Sequence, residues 1–399
     1  MSKVIVDEKL IDKFLTRGVE AIYPSAEELK KKLLSGEQLK IYQGFDPTGP
    51  YLHVGHAIGI RALRILQQLG HQVVFLIGDF TAKVGDPDKD KTRQLMSEEE
   101  IEKNMAGWKE QAAQLIDFED KNNPVVFDRN FNWLSKLTLY DVIGLMSHIT
   151  VQRMLERDMF DRRIKEGNPI RLQEFIYPLM QGYDGVAMEV DMEIGGADQT
   201  FNMLVGRDLS RAYLKKEKFV RTNKMMDAPD GRTMSKTKGN GINLADTPDE
   251  MYGKAMSYPD SAIASGFELL TEMPMETVAR IEGEIREGAN PMQFKQLMAF
   301  EIVKTIKGEQ EALAAEAEFK KVFQKKEKPS VMPEVKLKEL SPETLVEIGA
   351  ASSKGEAKRL MEQGGVKLND EKKSDWKAGV ALKNGDIIQV GPRKFYRVK

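Results

Sequence analysis

The chain has 399 residues, of which 41% are hydrophobic and 31% are charged, and its net charge is only −2. This composition predicts an ordinary globular protein of two or three domains and excludes a disordered, strongly acidic or strongly basic chain. Because the sequence contains no cysteine, disulfide scaffolds, cysteine-ligated zinc and thiol catalysis are excluded as well.

The first predicted elements are helices. Residues 1–37 are predicted to be helical, and Ser25 and Glu28 form a capping box in which the serine closes the helix start while the glutamate reaches back. Ser35-Gly36 ends this N-terminal helical segment. Leu39–Phe45 is then predicted to be a strand.

A βαβ unit is predicted next. The turn Asp46-Pro47-Thr48-Gly49-Pro50 leads into an amphipathic helix from about His53 to Leu69, which Gly70 closes. Gln72–Gly78 is a continuous apolar run, as is typical of a buried parallel strand. The length of the crossover predicts that the two strands are parallel.

Helical periodicity dominates the middle of the chain, and Thr138–Arg157 is its clearest predicted helix. Val190–Ile194 returns to the pattern of a buried strand, and strand and helix alternate over residues 190–221. We therefore predict an α/β protein with a Rossmann-like parallel-sheet catalytic domain over residues 38–246, interrupted by a helical insertion at about residues 120–185.

From Thr247 the chain is predicted to be helical. Thr247 to Glu250 form a second capping box, with Pro248 at the first helical position. We predict an all-helical domain over residues 247–328, a linker over residues 329–336 and a small α+β domain over residues 337–399.

The charge is unevenly spread along the chain. Leu337–Lys399 holds thirteen Lys/Arg and nine Asp/Glu, a net charge of +4, although the whole chain carries −2. A basic segment attached to an acidic body favours a polyanionic partner. Taken alone, this excess of positive charge could also be explained by a solvated surface without a specific partner.

Two observations concern location. Residues 1–13 carry alternating charges and lack the apolar run of a signal peptide. No segment approaches the roughly 18 uninterrupted apolar residues of a membrane-spanning helix. We therefore expect a cytoplasmic protein that does not bind a membrane.

The first motif that carries chemistry is His53-Val54-Gly55-His56, at the start of the predicted crossover helix. A helix start presents unpaired N–H groups and partial positive charge, which suit phosphate. Gly55 leaves room for a nucleotide, and imidazole N–H groups can stabilise phosphate oxygens whose charge grows during transfer. Since a zinc site would need a third ligand, we predict phosphate chemistry and no structural metal.

The second motif is the polar, cationic segment Gly231-Arg232-Thr233-Met234-Ser235-Lys236-Thr237-Lys238. A mobile loop carrying Lys236 can close on a pyrophosphate group and hold it through the transition state. A solvated loop explains this segment better when it is taken alone. Together with the histidine motif at the other end of the same α/β core, however, the segment is better explained as a phosphate-binding loop.

Tyr177, Gln181 and Asp184 are spaced i, i+4 and i+7, which gives one face of a helix three polar side chains. If this face pointed into the core, a polar partner would be required, because burying unpaired polar groups is costly. If it pointed into solvent, the pattern would need no further explanation. The spacing alone leaves both alternatives open.

Together, the histidine motif and the Lys236 segment resemble the HIGH and KMSKS signatures of class I aminoacyl-tRNA synthetases. Four further segments narrow the resemblance to tyrosyl-tRNA synthetases: YQGFDPT at 42–48, GDP at 85–87, YPLMQGYD at 177–184 and GGADQ at 195–199. The resemblance covers essentially the whole chain. It implies that residues 247–328 bind the anticodon and that residues 337–399 form an S-four-like RNA-binding domain.

The resemblance also implies a set of tyrosine-binding residues. Tyr177 and Gln181 would hold the α-amino group, with Asp86 as its anionic partner. Asp184 and Tyr42 would meet the phenolic hydroxyl, and phenylalanine would leave them unpaired, so no separate editing domain is expected. The full implied set is Tyr42, Asp86, Tyr177, Gln181, Asp184 and Gln199, the last beside the substrate carboxylate.

A second implied set serves ATP. The residues expected to contact ATP or the adenylate are Gly44, Asp46, Gly55, Arg93, Gly196, Asp198 (at the ribose), Ser235 and Thr237. Those expected to act during phosphoryl chemistry are Thr48, His53, His56 and Lys236. ATP is thus expected as a substrate, with Mg²⁺ on its polyphosphate.

The implied reaction begins with attack of the tyrosine carboxylate on the α-phosphorus of ATP. No general base is assigned, because the nucleophile is already ionised, and positioning with charge stabilisation is expected to carry the rate. A ribose hydroxyl of the 3′-terminal adenosine of tRNA(Tyr) then attacks the adenylate. The resemblance also implies a homodimer, and we expect its interface in the helical insertion.

One departure from the family stands at Thr233, where a lysine is usual; Arg232 or Lys238 could supply the missing cation. Three alternatives follow. Tyr42 and Asp184 disfavour a tryptophanyl-tRNA synthetase, and an H-x-G-H nucleotidyltransferase would not need the helical block and the tail. A catalytically silent RNA-binding relative has only Thr233 in its favour.

Overall fold

The structure is a computed structural model that describes residues 3–86, 96–231, 234, 241–324, 332–391 and 394–399. The chain divides into two compact units, Met1–Leu313 and Ala314–Lys399. The first unit holds an α/β core with helices after it, and the second is a small α+β unit.

The helices of the first unit, within its described residues, are α1 (Glu8–Thr16), α2 (Ala26–Leu34), α3 (Val54–Gln68), α4 (Thr81–Val84), α5 (Glu98–Met105), α6 (Trp108–Ala112), α7 (Phe131–Leu134), α8 (Leu139–Met146), α9 (Val151–Leu155), α10 (Asp158–Lys165), α11 (Leu172–Ala187), α12 (Thr200–Leu214), α13 (Pro248–Ala255), α14 (Ile263–Leu270), α15 (Met275–Arg286) and α16 (Pro291–Lys307). Its strands are β1 (Val19–Tyr23), β2 (Lys40–Phe45), β3 (Gln72–Ile77), β4 (Val126–Arg129), β5 (Met192–Gly196) and β6 (Phe219–Asn223). Helix α17 (Glu309–Phe319) runs across the division between the units.

These six strands form one sheet in the order β1-β6-β5-β2-β3-β4. All neighbouring pairs are parallel except β1 and β6, which are antiparallel at one edge. The predicted α/β class with a parallel-sheet core is therefore confirmed. From β2 the chain continues outward to β3 and β4, whereas from β5 it continues to β6 on the other side. The boundary between β2 and β5 is thus a topological switch point, where α/β sheets open a crevice at the carboxyl ends of their strands.

The predicted βαβ unit is present. Strands β2 and β3 are in parallel register from Lys40 opposite Gln72 to Phe45 opposite Ile77. Helix α3 begins after His53, and Gly70 follows its end with a φ of 84°. A positive φ carries little strain in glycine, which explains why the helix ends there.

The prediction that residues 1–37 are helical throughout is wrong in one segment, because Val19–Tyr23 forms strand β1 between α1 and α2. Gly18, with a φ of 63°, separates α1 from β1. The sequence VEAIY favours a strand through its β-branched and aromatic residues. Ser25 does cap α2, since its Oγ accepts from the Glu28 N–H at 3.1 Å.

Two predictions for the middle of the chain are also corrected. The stretch predicted as one helix, Thr138–Arg157, is two short helices, α8 and α9. The physical reason is a second helix cap: the Thr150 side chain accepts from the Arg153 N–H and starts α9 anew. Strand β4, within the predicted helical insertion, pairs with β3 and extends the sheet. It was missed because only four residues carry its pattern.

The helices after Thr247 agree with the prediction. Thr247 and Glu250 form the capping box at the start of α13. In α16 the face that carries Phe294, Met298 and Ile302 is buried. These helices pack on one another, and α14 also contacts α3.

The second unit contains α18 (Pro342–Glu347) and α19 (Lys354–Glu362), with strands β7 (Glu334–Val335), β8 (Glu339–Leu340), β9 (Val366–Leu368), β10 (Glu371–Lys372), β11 (Val380–Ala381), β12 (Ile387–Val390) and β13 (Lys394–Val398). Five of these strands form a sheet in the order β10-β9-β12-β13-β7, and β11 pairs with β8. Its core includes Leu345, Ala357, Met361, Val366 and Ile388. The domain bounds predicted from the sequence stay predictions. Among the described residues, no helix is both long enough and apolar enough to cross a membrane.

Candidate active site

A cavity of about 290 Å³ opens in the first unit at the switch point between β2 and β5. Every described residue that the sequence predicted for the site lines it: Tyr42, Gly44, Asp46, Thr48, His53, Gly55, His56, Asp86, Tyr177, Gln181, Asp184, Gly196, Asp198 and Gln199. Residues far apart in the sequence thus meet in one cavity. The roles suggested for them stay predictions.

The start of α3 forms one wall of this cavity. The Nδ1 atom of His56 accepts a hydrogen bond from the His53 backbone N–H at 3.0 Å, and the two imidazole rings lie 3.8 Å apart. A ring nitrogen that accepts must be deprotonated, so neutral His56 carries its proton on Nε2. The helix start therefore offers an imidazole donor beside its own positive dipole end.

Four predicted residues, Arg93, Ser235, Lys236 and Thr237, lie outside the described residues, as do Arg232, Thr233 and Lys238. Described residues on either side of Lys236 do contact the start of α3. Met234 is buried and lines the cavity beside Gly55. After the segment, the Ile242 carbonyl accepts from the Val54 N–H at 2.9 Å.

The polar stripe on α11 faces inward. Asp184 is only 3% exposed, which excludes the solvent-facing alternative. Its carboxylate accepts from Trp133 Nε1 at 2.7 Å and from Asn130 Nδ2 at 3.2 Å. Burial raises the pKa of Asp184 well above its ordinary value, although these two hydrogen bonds lower it. A carboxyl group with a raised proton affinity is also a strong acceptor for an incoming hydroxyl.

Tyr42 lies in the same part of the cavity, on β2. It is 1% exposed, and its hydroxyl donates weakly to the Gln181 carbonyl at 3.4 Å. Burial raises the pKa of Tyr42 well above its ordinary value, and the nearby carboxylates of Glu193 and Asp184 raise it further. Tyr42 is thus a neutral hydroxyl that can both donate and accept.

Asp46 follows directly after β2 and is held rigidly. It accepts from the Tyr177 hydroxyl and from Thr81 Oγ1, each at 2.8 Å. A Cβ atom added to Gly78 would lie 2.0 Å from the Asp46 carboxylate, so a side chain there would displace Asp46. The hydrogen bond to Asp46 also fixes the Tyr177 hydroxyl in the cavity wall.

Asp86 is bound from two sides. Its Oδ1 accepts from Arg157 at 2.8 Å, and its Oδ2 accepts from Gln199 Nε2 at 2.7 Å. Arg157 is 8% exposed, so this ion pair is shielded from solvent. Burial raises the pKa of Asp198, and the nearby Asp86 raises it further, although the hydrogen bond from Gln199 lowers it.

The glycines of the site differ in what surrounds them. At Gly44 an added Cβ would meet only Leu76, at 3.9 Å, so the space beside this strand end is open. At Gly196 it would lie 2.3 Å from Asp198 Oδ1 and at Gly55 2.9 Å from His53 Nδ1. A side chain at either of the last two glycines would therefore displace Asp198 or His53 from its position in the site.

Comparison with known proteins identifies the family. The family described as tRNA synthetases class I (W and Y) matches residues 34–324. The tyrosine--tRNA ligase of Thermotoga maritima is 45% identical over 391 residues, which are 97% of this chain and 96% of that protein. That of Haemophilus influenzae is 43% identical over 389 residues, 96% of each chain.

The chain belongs to the tyrosyl-tRNA synthetase family. Solved structures of such synthetases share its fold. The C-terminally truncated mitochondrial enzyme of Aspergillus nidulans matches with a TM-score of 0.65 and 23% identity, covering 79% of this chain and 94% of that one. The Archaeoglobus fulgidus enzyme, complexed with L-tyrosine, matches with a TM-score of 0.59 and 22% identity, covering 78% of this chain and all of that one.

Several polar residues of this synthetase's cavity region were not found from the sequence. They are Asn130, Trp133, Arg157, Glu193, Asn202 and Lys218. Asn130 could have been found, because it directly follows strand β4 at the carboxyl edge of the sheet. The others lie in helices, in a strand or in short connections, where nothing in the local pattern marks them.

The described residues of the synthetase contain no group of three or more His, Asp or Glu side chains that could hold a metal ion. The cavity does carry Asp46, Asp86, Asp184 and Glu193, but protein donors already occupy each of these carboxylates. A metal ion at this site would therefore fit best as part of a nucleotide complex, with phosphate oxygens as ligands.

Proposed function

We propose that the chain activates L-tyrosine with ATP and then transfers it to the 3′-terminal adenosine of tRNA(Tyr). One observation carries the proposal. A buried carboxylate, Asp184, and the start of helix α3, with His53 and His56, line the same cavity. An acceptor for a phenol and a donor set for phosphates thus share one site.

We propose that the phenolic hydroxyl binds between Asp184 and Tyr42. Trp133 and Asn130 fix the Asp184 carboxylate from behind, so it need not move when the substrate enters. Phenylalanine would bring a carbon-bound hydrogen against this acceptor and leave it buried without its partner. That loss discriminates more strongly than the loss of an apolar contact.

The charged end of tyrosine would lie against the opposite set of side chains. Tyr177, Gln181 and Asp86 would receive the ammonium group, and Gln199 the carboxylate. All four line the cavity. Acceptor oxygens of Asp86 and Gln181 suit a group that can only donate, and the amide of Gln199 suits a group that can only accept.

In the first step, a tyrosine carboxylate oxygen forms a bond to the α-phosphorus of ATP. The bond from that phosphorus to the oxygen bridging to the β-phosphorus breaks, and the electron pair leaves with pyrophosphate. Thr48, His53 and His56 would stabilise charge that grows on phosphate oxygens, and Lys236 would join them. The remaining adenylate contacts are proposed at Gly44, Asp46, Gly55, Arg93, Gly196, Asp198, Ser235 and Thr237.

Mg²⁺ would enter as part of the ATP complex and neutralise charge on the polyphosphate. In the second step, a ribose hydroxyl of the terminal adenosine attacks the carbonyl carbon of the adenylate. The bond between that carbon and the phosphate oxygen breaks, and AMP leaves. Protein synthesis takes place in the cytoplasm, where we propose that the enzyme acts.

We propose that tRNA is bound by the helical block over residues 247–328 and by the second unit. In that unit, Lys354 and Arg359 are exposed on α19, and Lys358 Nζ lies 4.0 Å from the centre of the Trp376 ring. Cations beside an aromatic face are typical of surfaces that bind phosphates and unstacked bases.

We propose a homodimer that buries the apolar surface of helices α8, α9 and α11. Leu139, Tyr140, Val151 and Leu172 are 77%, 85%, 65% and 82% exposed. Large exposed apolar side chains that lie close together usually mark an interaction site. We propose that a second copy of the chain covers this surface, because the family resemblance implies a homodimer. Analytical ultracentrifugation tests this proposal, and Tyr140→Glu should shift the protein toward the monomer.

The test of the function is ATP–pyrophosphate exchange with tyrosine, tryptophan or phenylalanine. Exchange with tyrosine alone is expected. Exchange with tryptophan alone would favour the tryptophan branch of the family, and no exchange would favour a silent RNA-binding relative. Charging of tRNA(Tyr) by the same preparation tests the second step.

A further inference from the structure

A chain of hydrogen bonds links the residues proposed to bind the ammonium group of the substrate with the residue proposed to bind its carboxylate. At one end, Lys218 Nζ donates to Glu193 Oε2 at 2.5 Å, and Gln181 Nε2 donates to Glu193 Oε1 at 3.1 Å. In the middle, Asn202 Nδ2 donates to Gln181 Oε1 at 2.9 Å and to Gln199 Oε1 at 3.0 Å. At the other end lies the bond from Gln199 Nε2 to Asp86.

The direction of every bond in this chain is fixed by its ends. Lysine can only donate, and an ionised carboxylate can only accept. Glu193 therefore has to receive the NH₂ group of Gln181, and Asp86 has to receive that of Gln199. Both glutamine oxygens then face Asn202, whose NH₂ group has two hydrogens to give.

The charged pair at the first end of this chain is almost completely buried. The side chain of Lys218 is 0% exposed and that of Glu193 is 2% exposed, and Asn202 is 0% exposed. Lys218 Nζ also lies 5.9 Å from the centre of the Tyr42 ring. Because so little of the pair is exposed, its orientation is set by the protein groups around it.

We propose that the buried pair Lys218–Glu193 fixes the orientation of the Gln181 amide, whereas Asp86 fixes that of Gln199. These two orientations sort the ammonium of the amino-acid substrate from its carboxylate. The inference rests on the proposed function. With this polarity, the Gln181 oxygen accepts from Asn202 and keeps a second lone pair for the ammonium group. The Gln199 NH₂ group donates to Asp86 at 2.7 Å and only weakly to Asp198, at 3.4 Å, so we propose that its second hydrogen serves the carboxylate. A reversed Gln181 amide would set a donor against the ammonium group.

The variant Glu193→Gln tests the inference, because Lys218 would still require the oxygen of the new amide. The new NH₂ group would then face Gln181 and force its amide to reverse. We expect the KM for tyrosine to rise about tenfold or more, the loss of one charge-assisted hydrogen bond. The kcat of exchange and the KM for ATP should change little.

Two inhibitors separate this effect from a general distortion. Tyramine keeps the ammonium group and lacks the carboxylate, whereas 3-(4-hydroxyphenyl)propionate keeps the carboxylate and lacks the ammonium. In Glu193→Gln, inhibition by tyramine should weaken about tenfold. Inhibition by the propionate should not weaken, because Asp86 still holds the Gln199 amide in place. Equal weakening of both would mean a structural role only and would overturn the inference.

A double variant provides the rescue. Glu193→Gln with Lys218→Met removes the cation, so the new amide can turn its oxygen back toward Gln181. Replacing both members of a buried pair by neutral groups is often tolerated in folding. Tyramine inhibition should return to within about threefold of the wild type, whereas a persistent loss would contradict the proposal.

The matched control is Glu174→Gln. It neutralises a different buried carboxylate, which lies on α11 and is paired with Arg163. It should change inhibition by the two compounds equally or not at all. If the wild type fails to catalyse tyrosine-dependent exchange, the proposed function itself is wrong. If the wild type catalyses tyrosine-dependent exchange and tyramine inhibits Glu193→Gln as strongly as it inhibits the wild type, only this inference is wrong.

Discussion

The two units of the chain differ in the burial of the polar side chains that we propose to be functional. In the first unit, Asp184, Glu193 and Lys218 are 3% exposed or less and are bound by other protein groups. In the second unit, the cations around Trp376 lie at the surface, and Lys354 and Arg359 are exposed. The first arrangement can orient a small molecule, whereas the second can attract a polyanion.

This difference has an energetic consequence. A buried group that loses its partner retains the full cost of its desolvation, whereas an exposed charge is screened by water and salt. Substitutions in the cavity should therefore change activity by orders of magnitude, and substitutions on the second unit by small factors.

The largest effect is expected at the start of α3. His53→Ala should lower the kcat of pyrophosphate exchange about 10²- to 10³-fold, the usual cost of one donor that stabilises transition-state charge. The KM for tyrosine should stay nearly constant, since the phosphates and not the amino acid are affected. Steady-state exchange kinetics measure both.

The control for this variant is Tyr51→Ala, which changes a half-exposed residue two positions earlier in the same loop. It should leave kcat within about twofold, as surface substitutions usually do. If His53→Ala raised the tyrosine KM and spared kcat, the assignment of this helix start to phosphate chemistry would be wrong.

The next effect is expected at Asp184. In Asp184→Asn the new NH₂ group must face Trp133 or Asn130, both of which donate to this position. One donor loses its partner, so we expect the tyrosine KM to rise about 10- to 150-fold. Discrimination against phenylalanine should fall in the same assay, because the acceptor for the phenol is weakened.

Asp128→Asn makes the same chemical change nearby, on β4, at a residue that does not line the cavity. Its exchange kinetics with tyrosine should match the wild type within about twofold. An Asp184→Asn variant with the same tyrosine KM as this control would refute the phenol contact.

A third effect concerns stability. Burial lowers the pKa of His71 from 6.5 to about 4, and its Nδ1 accepts from the Leu39 N–H. The unfolded chain therefore binds more protons between pH 6.5 and pH 4, and the first unit loses stability as the pH falls through this window. Between pH 7 and pH 5 the loss should be about 2 kcal/mol.

Urea unfolding of a Trp376→Phe variant measures this loss, because the two remaining tryptophans, Trp108 and Trp133, lie in the first unit. Adding His71→Gln should remove most of the difference between pH 7 and pH 5. An unchanged pH dependence would show that other groups titrate in this window.

The sequence predicted the parts of the fold that have long patterns or strong boundary residues. The βαβ unit around α3 has an apolar strand on either side of a capped helix, and the start of α13 has a complete capping box. Strand β4 has only four residues. Such a short stretch carries little periodicity, and its pairing in the sheet outweighs it.

The site divides in the same way. Residues in quoted motifs, such as Asp184 and Gln181, were predicted and lie in the cavity. Their partners Trp133, Asn202 and Glu193 were not, because each acts through a contact that only the folded chain creates. Which amide faces which carboxylate depends on tertiary packing and has no local pattern in the sequence.

The smallest effect is expected on the second unit, at Lys358, whose ammonium lies over the Trp376 ring. Lys358→Ala should lower the slope of tRNA affinity against salt by about 1, as expected for one lost phosphate contact. Tyrosine-dependent exchange should be unchanged, because the cavity belongs to the first unit. Filter binding over a salt series measures the slope. The matched control is Lys383→Ala, which changes an exposed lysine between β11 and β12. Equal slopes for the two variants would remove Lys358 from the proposed RNA-binding surface.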